Sequence, residues 1–337
     1  MRCWIIDTDI GWDPDDILAI LLICNYITKK NDKLLIITSD ETENNDRAKL
    51  VRYIVDNLGH NHIDVVAGHK SLKSPNFAKE LLKISSQIPN NKLCQIDRVI
   101  KYIDENNKST ITWIGIGSMT NLNYILKKRN ISKIIQMGGC VPDDYSNLEY
   151  NIDLDPNSCN EILELASNKY IDLTFVTLDT TGTHPNLLWI SNYKDKQDNS
   201  KRIAKYINDI IRDNYPSLYK VILSNITKNG YTGSSSLHDP LTVIYALYNI
   251  DVFSKVKANI SLNKGKWIIK CNLNTKKFKE SLFVKSYISG KKVSLKDSIM
   301  DINKLEPNCS MSLGCPTDQQ VNLFIHTMIE IISEQSE

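Results

Sequence analysis

The chain has 337 residues, 42% of them hydrophobic, which is enough to bury one large core or two tightly joined ones. Positive and negative side chains nearly cancel to a formal net charge of +2, which excludes the electrostatic footprint of a nucleic-acid or anionic-membrane binder. The N-terminal "MRCWIIDTDIG" lacks a signal peptide's apolar stretch, no segment approaches membrane-spanning length, and the eight cysteines form no CxxC pair, so a cytoplasmic protein with reduced thiols is expected.

Over residues 1–200, short apolar runs alternate with helical periodicities. Strands are predicted at "CWII", "LLIITS" (34–39), "IDVVAG" (63–68), "TITWIGIG" (110–117), "KIIQMGG" (133–139) and "DLTFVTL" (172–178). Between them "DDILAILLICNYI", "DRAKLVRYIVDNLG", "RVIKYIDENN", "MTNLNYILKKR" and "NSCNEILELAS" repeat apolar residues at three and four, the helical spacing. Strand then helix, repeated, predicts an α/β fold with a mostly parallel central sheet flanked by helices, and ligands beyond the carboxyl ends of its strands. From residue 201 the pattern turns mainly helical ("KRIAKYINDIIRDNY", "DPLTVIYALYN", "DQQVNLFIHTMIEIIS") with a few strands such as "KVKANISL" and "GKWIIKCNL". The reading is one domain over 1–337: an α/β core to 200 and a mainly helical extension after it.

The stretch "DTDIGWDPDD" sets five carboxylates in ten residues at the end of the first strand. Asp13 can cap a helix, Pro14 suits the first helical position, and Asp15 and Asp16 complement the positive end of the helix dipole. Asp7 and Asp9 have no such role, and Gly11 bends the two groups of acids toward each other. Carboxylates gathered this closely raise one another's pKa unless a cation neutralises them, which points to a hard divalent ion. An EF-hand would require a carboxylate at its twelfth position, where this chain has Leu18. A phosphatase of the haloacid dehalogenase type also begins with D-x-D after its first strand, but this chain has Gly11 where that motif usually has Thr or Val.

These residues resemble the nucleoside N-ribohydrolases, the inosine-uridine preferring nucleoside hydrolase family, whose first strand ends in D-x-D-P-G-x-D-D. Here an extra Asp13-Pro14 precedes Asp15-Asp16, so either Asp13 or the pair Asp15-Asp16 can partner Asp9, and the pair is taken because "DDILAILL" is similar to the family's "DDAxAxxL" helix start. Further resemblances follow in the family's order: "ITWIGIGSMTNL" (111–122), "IIQMGGCV" (134–141), "LEYNIDLDPNS" (148–158) beside "AEFNxxxDPxA", and "SLHDPLTVIYAL" (236–247) beside "xHDPxAVAxxL". The likeness covers roughly residues 4 to 247.

The resemblance implies hydrolysis of a ribonucleoside to free base and ribose, in nucleoside catabolism and purine or pyrimidine salvage, with Ca2+ as cofactor. It implies Asp9, Asp16, Asp239 and the Ile116 carbonyl as metal ligands, Asp9 also as general base, and Asp7 as an orienting neighbour. It implies Asp15, Glu149 and Asn151 as ribose contacts; Glu41 joins them as the ribose contact where the family has a "GN" turn. His238 matches a family histidine that meets the leaving base, and Trp12 either stacks on that base or covers the metal site. His69 lies near the family's histidine-containing loop in order but not in context. The expected partner is a small nucleoside, with no nucleic acid or membrane, and a homo-oligomer, dimer or tetramer, is allowed. A nucleoside- or sugar-binding protein that keeps the metal cradle without turnover is the competing class, and the phosphatase is a third.

Overall fold

Cys3 and Ile5 belong to one buried cluster and Trp4 and Ile6 to another, so side-chain alternation along the first strand already divides the core in two. The structure, a computed structural model, describes residues 1–131, 133–140, 149–168, 170–182, 184–189, 199–228, 235–263, 266–271, 299–301, 307–312 and 315–333. Strands β1 (Cys3–Thr8), β2 (Lys33–Thr38), β3 (Asp64–Ala67), β4 (Ile111–Gly115), β5 (Lys133–Met137) and β6 (Asp172–Val176) all run parallel, each where the sequence predicts it. They are continuous apolar runs because helices cover both faces of the sheet.

In chain order the helices are α1 (Asp15–Lys30), α2 (Asp46–Asn57), α3 (Leu82–Ser85), α4 (Asp97–Glu105), α5 (Thr120–Leu126), α6 (Tyr150–Leu154), α7 (Pro156–Ser167), α8 (Leu178–Thr181), α9 (Asn199–Asn214), α10 (Pro216–Lys228), α11 (His238–Tyr248) and α12 (Asp318–Ser333). Helices α1, α2 and α9 to α12 pack on one face, α4, α5 and α7 on the other. Helix α1 is buried from Asp15 to Ile27 on every side, lying against α11 and α12 as well as the sheet. It begins one residue later than the sequence suggests: Pro14 holds the cap position, and Asp13 Oδ1 meets the Asp15 N–H only at 3.5 Å. It ends at Asn31, whose left-handed φ of 52° lets its N–H reach the Ile27 carbonyl.

The later strands join the extension to the core. A short ribbon, β7 (Leu188–Trp189) with β8 (Ser235–Ser236), stands alone, but β9 (Lys255–Asn263), β10 (Lys266–Cys271), β11 (Ile299–Asp301) and β12 (Cys309–Ser312) continue the main sheet. Among the described residues its ten strands run β11-β10-β9-β12-β6-β5-β4-β1-β2-β3. Strand β12 is the join, parallel to β6 and antiparallel to β9. The end of the predicted strand "GKWIIKCNL", at 272–273, lies outside the described residues. No helix among the described residues is long and apolar enough to cross a membrane.

Strand β1 lies between β2 on one side and β4 on the other. The chain leaves β1 through α1 on one face and β4 through α5 on the opposite face, so a crevice opens between their carboxyl ends. The acidic turn sits at that crevice.

Candidate active site

Beyond Thr8 the chain runs through Asp9 and Ile10 to Gly11, whose φ of +117° suits only glycine; an added Cβ would also lie 2.4 Å from Phe77 Cε2. On the β4 side the Ile116 N–H donates to the Asp7 carbonyl at 2.7 Å. Gly117 permits this approach, since a Cβ there would fall 2.9 Å from the Asp9 nitrogen. After β5, the Gly139 N–H donates to Glu149 Oε2 at 2.9 Å, and Glu149 caps α6. The first turn of α11 brings His238 and Asp239 from far along the chain.

These elements enclose a cavity of about 280 Å³. Asp9, Asp15, Asp16, Ile116, Glu149, Asn151, Trp12, His238 and Asp239 all line it. Carboxylate oxygens of Asp15, Asp16 and Asp239 lie within 4.8 Å of one another. Asp15 thus stands with the metal candidates, although the resemblance sets it on the ribose, because its Oδ2 accepts from the Asp239 N–H at 3.1 Å. Asp9 lines the same cavity outside that trio.

Burial, and then the neighbouring carboxylates, hold Asp15, Asp16 and Asp239 well above the usual carboxylate range. Asp9 is pushed up to about 7 by burial, with the Arg47 guanidinium working against the rise. Asp16 accepts from Thr8 Oγ1. Asp239 is 5% exposed, and no hydrogen bond reaches its carboxylate among the described residues. A buried, unpartnered carboxylate beside two others and near a strand-end carbonyl is the oxygen-only donor set of a hard cation, so the residues fit a divalent ion.

Glu149 Oε1 accepts from the Asn151 N–H at 3.0 Å, and Asn151 Nδ2 lies 3.4 Å from the Ile116 carbonyl. His238 Nδ1 hydrogen-bonds Thr181 Oγ1, which leaves Nε2 as the ring nitrogen for a ligand. Burial lowers the His238 pKa, and the charge of Asp13 opposes this. His69 is turned away from the cavity, with Nδ1 2.8 Å from Asn121 Oδ1 and its ring edge-on to Tyr124. Asp7 lies behind the site, fully buried, accepting from Asn121 Nδ2 at 3.1 Å.

Glu41 is the exception among the candidates. It does not line the cavity: Oε1 accepts from Thr38 Oγ1 at 2.6 Å and the Ala48 N–H at 2.7 Å, Oε2 from the Thr42 N–H at 3.1 Å and the Arg47 N–H at 3.3 Å. Its carboxylate closes the first turn of α2, so the expected ribose contact is replaced by a structural role.

Asp13, open in the sequence as a helix cap or as the partner of Asp9, lines the cavity and accepts from Ser235 Oγ. Other residues of the site escape sequence reasoning. Met137 and Leu178 add apolar wall, signalled only by their places at the ends of β5 and β6. Tyr150 lines the mouth, its hydroxyl accepting from Asn76 Nδ2 at 3.1 Å. Arg47, wholly buried under the turn, donates to the Asp9 carbonyl, to the Ile10 carbonyl at 2.7 Å, to Asn76 O at 2.9 Å and to Asp40 Oδ2 at 2.7 Å.

The family model described as "Inosine-uridine preferring nucleoside hydrolase" matches residues 4–292. No curated protein sequence matches the chain. Among solved structures, a plant nucleoside hydrolase (PpNRh1) is 16% identical with a TM-score of 0.61, over 97% of this chain and 98% of its own. An inosine-guanosine nucleoside hydrolase is 14% identical with a TM-score of 0.63, over 99% of both chains. The type III effector XopQ, complexed with adenosine diphosphate ribose, is 13% identical with a TM-score of 0.65, over 99% of this chain and 94% of its own. At these identities the structures share the fold, and the family match carries the assignment: the chain belongs to the inosine-uridine preferring nucleoside hydrolase family and is a hydrolase.

Proposed function

We propose that the protein hydrolyses the N-glycosidic bond of ribonucleosides to free base and ribose, with Ca2+ held by its buried aspartates. The observation that carries this reading is the convergence of the β1–α1 turn and the start of α11 on one cavity at the switch point of the sheet. Asp16, Asp239 and the Ile116 carbonyl, with Asp9 and Asp15 beside them, would hold the ion. When bound, Ca2+ supplies positive charge that orients sugar oxygens and lowers the pKa of an adjacent water.

The residues divide the remaining work. Asp9, which burial pushes up to about 7 with no cation beside it, lines the cavity and would be drawn back to its ionised form by a bound ion, so it is placed to take the proton of the attacking water. Glu149 and Asn151 fix ribose hydroxyls; the Glu149 oxygens keep lone pairs beyond those given to backbone N–H groups. Bonding electrons pass to the base as water adds to the anomeric carbon, and His238 and Trp12 meet the departing base. Incubation with a nucleoside panel, with reducing sugar assayed before and after chelation, tests the reading: turnover lost on chelation and restored by Ca2+ supports it, and no release from any N-riboside overturns it.

A second reading, a nucleoside- or sugar-binding protein without turnover, is favoured by the inserted Asp13-Pro14 beside the metal candidates. Calorimetry showing ligand binding with no product would favour it. The phosphatase alternative falls with the family assignment.

A further inference from the structure

On the hydrolase reading, we propose that the Tyr150 hydroxyl is a catalytic hydrogen-bond donor to the departing base. The segment "LEYNIDLDPNS" has Tyr150 where the family's motif "AEFNxxxDPxA" has Phe, so the hydroxyl is an addition of this chain. Tyr150 opens α6 between Glu149 and Asn151, and all three line the cavity. Glu149 and Asn151 are 9% and 6% exposed and lie deep in it, whereas Tyr150 is 40% exposed and stands at the mouth. A riboside whose sugar hydroxyls rest on the deeper pair therefore carries its base outward past the Tyr150 ring.

The bonding of the hydroxyl decides what it has left to give. Asn76 Nδ2 donates to the phenol oxygen at 3.1 Å, and the Asn76 carbonyl is held in turn by Arg47 Nη2 at 2.9 Å. One lone pair is thus engaged, while among the described residues no acceptor takes the phenol proton. That proton is left for a ligand. Burial, then the charges of Asp9 and Asp40, push the Tyr150 pKa up to about 12, so the group stays protonated at neutral pH. The loop after β3 sends no histidine to the cavity, since His69 bonds Asn121; it supplies Asn76 to the phenol instead.

Atoms and electrons balance in the step. As the bond from the anomeric carbon to the base nitrogen breaks, its electron pair passes to the base, and hydroxide from water joins the sugar while Asp9 takes the water's other proton. Charge spreads onto ring nitrogens and carbonyl oxygens of the base, and the hydrogen bond from Tyr150 strengthens as that charge develops. Tyr150 keeps its proton; the released base takes one from solvent, to which Asp9 returns its own. An interaction stronger in the transition state than in the bound substrate raises kcat, and kcat/KM with it.

The experiment compares inosine and uridine, whose bases depart with difficulty, with 4-nitrophenyl riboside, whose phenolate departs without help. In Tyr150→Phe, kcat on the faster nucleoside should fall about 10- to 100-fold, while the nitrophenyl riboside keeps most of its rate. Equal losses on both substrates, or no loss on the nucleoside, overturn the inference, as does cleavage of the nitrophenyl riboside alone by wild-type protein. Should that variant not fold, Asn76→Ala, which releases the hydroxyl from its fixed direction, is judged by the same split. If wild-type protein cleaves none of the three, the hydrolase reading fails and binding decides the contact. Calorimetry with Ca2+ and ribose present should then show hypoxanthine bound about threefold to tenfold more weakly by Tyr150→Phe, and equal or absent binding overturns it.

Discussion

The Asp239 N–H donates to Asp15 Oδ2 at 3.1 Å, joining the first turns of α11 and α1 across 224 positions of sequence. This bond sets two helix N-termini, each with a positive dipole end, around one cluster of acids. Their dipoles offset part of the repulsion and leave the rest to a cation. Asp16→Asn and Asp239→Asn should each weaken Ca2+ binding at least about 100-fold, by comparison with the losses seen for supporting residues around metals. Calorimetric titration checks this, and wild-type affinity in both variants would remove the trio from the metal site.

The same repulsion predicts a pH dependence. Folding raises the pKa values of Asp15, Asp16 and Asp239 and brings Asp9 to about 7, so the folded chain holds protons that the unfolded chain has released. Stability present below the unfolded carboxylate value of about 4 is then lost as pH rises through the folded values. The Tm of chelated protein should therefore fall between about pH 5 and pH 8, and Ca2+ should raise Tm more at the upper end. Scanning calorimetry at each pH is the check; a metal-free Tm that climbs over this range would contradict it.

Asp9→Asn removes the proposed proton acceptor while keeping its shape. A fall in kcat of about 10²–10⁴ is expected, with an unchanged circular dichroism spectrum. Activity near wild type would remove Asp9 from the mechanism.

Arg47 and Asp40 form a pair in which neither side chain is more than 2% exposed. Arg47→Met strands the Asp40 carboxylate and frees the carbonyls of the acidic turn, at a cost of about 3–5 kcal/mol. Urea denaturation measures it, and a loss below about 1 kcal/mol would show that the turn is held by other contacts.

Glu41→Gln separates support from chemistry. It should cost about 1–3 kcal/mol of stability through weaker acceptance from Thr38, Thr42, Arg47 and Ala48, without raising the KM for ribosides. A raised KM with intact stability would return Glu41 to the sugar.

Why some of this is legible in sequence and some is not follows from range. Strand β1, the turn and α1 are contiguous, and their apolar periods and acids report local geometry directly. Asp239 is readable only because His238 and Pro240 frame it in a recurring motif. Glu41 and Arg47 look like surface charges on a loop and a helix, since nothing local says that each will be enclosed by backbone groups. Strand β12 reads "CSMS", without β-branched residues, and is a strand because both neighbours supply partners. The inserted Asp13 is visible as an insertion, but its place in the cavity depends on Ser235.

The position of β12 carries a consequence for biogenesis. Its four residues, Cys309–Ser312, separate β6 from β9, so during synthesis the outer edge of β6 meets no partner strand among the described residues until Ser312 has been made, 136 positions after β6 itself ends at Val176. A nascent chain arrested before Cys309 would carry a crevice already enclosed at α11, yet an open strand beside it, ready to recruit a neighbour. Escape from aggregation is thereby tied to that segment.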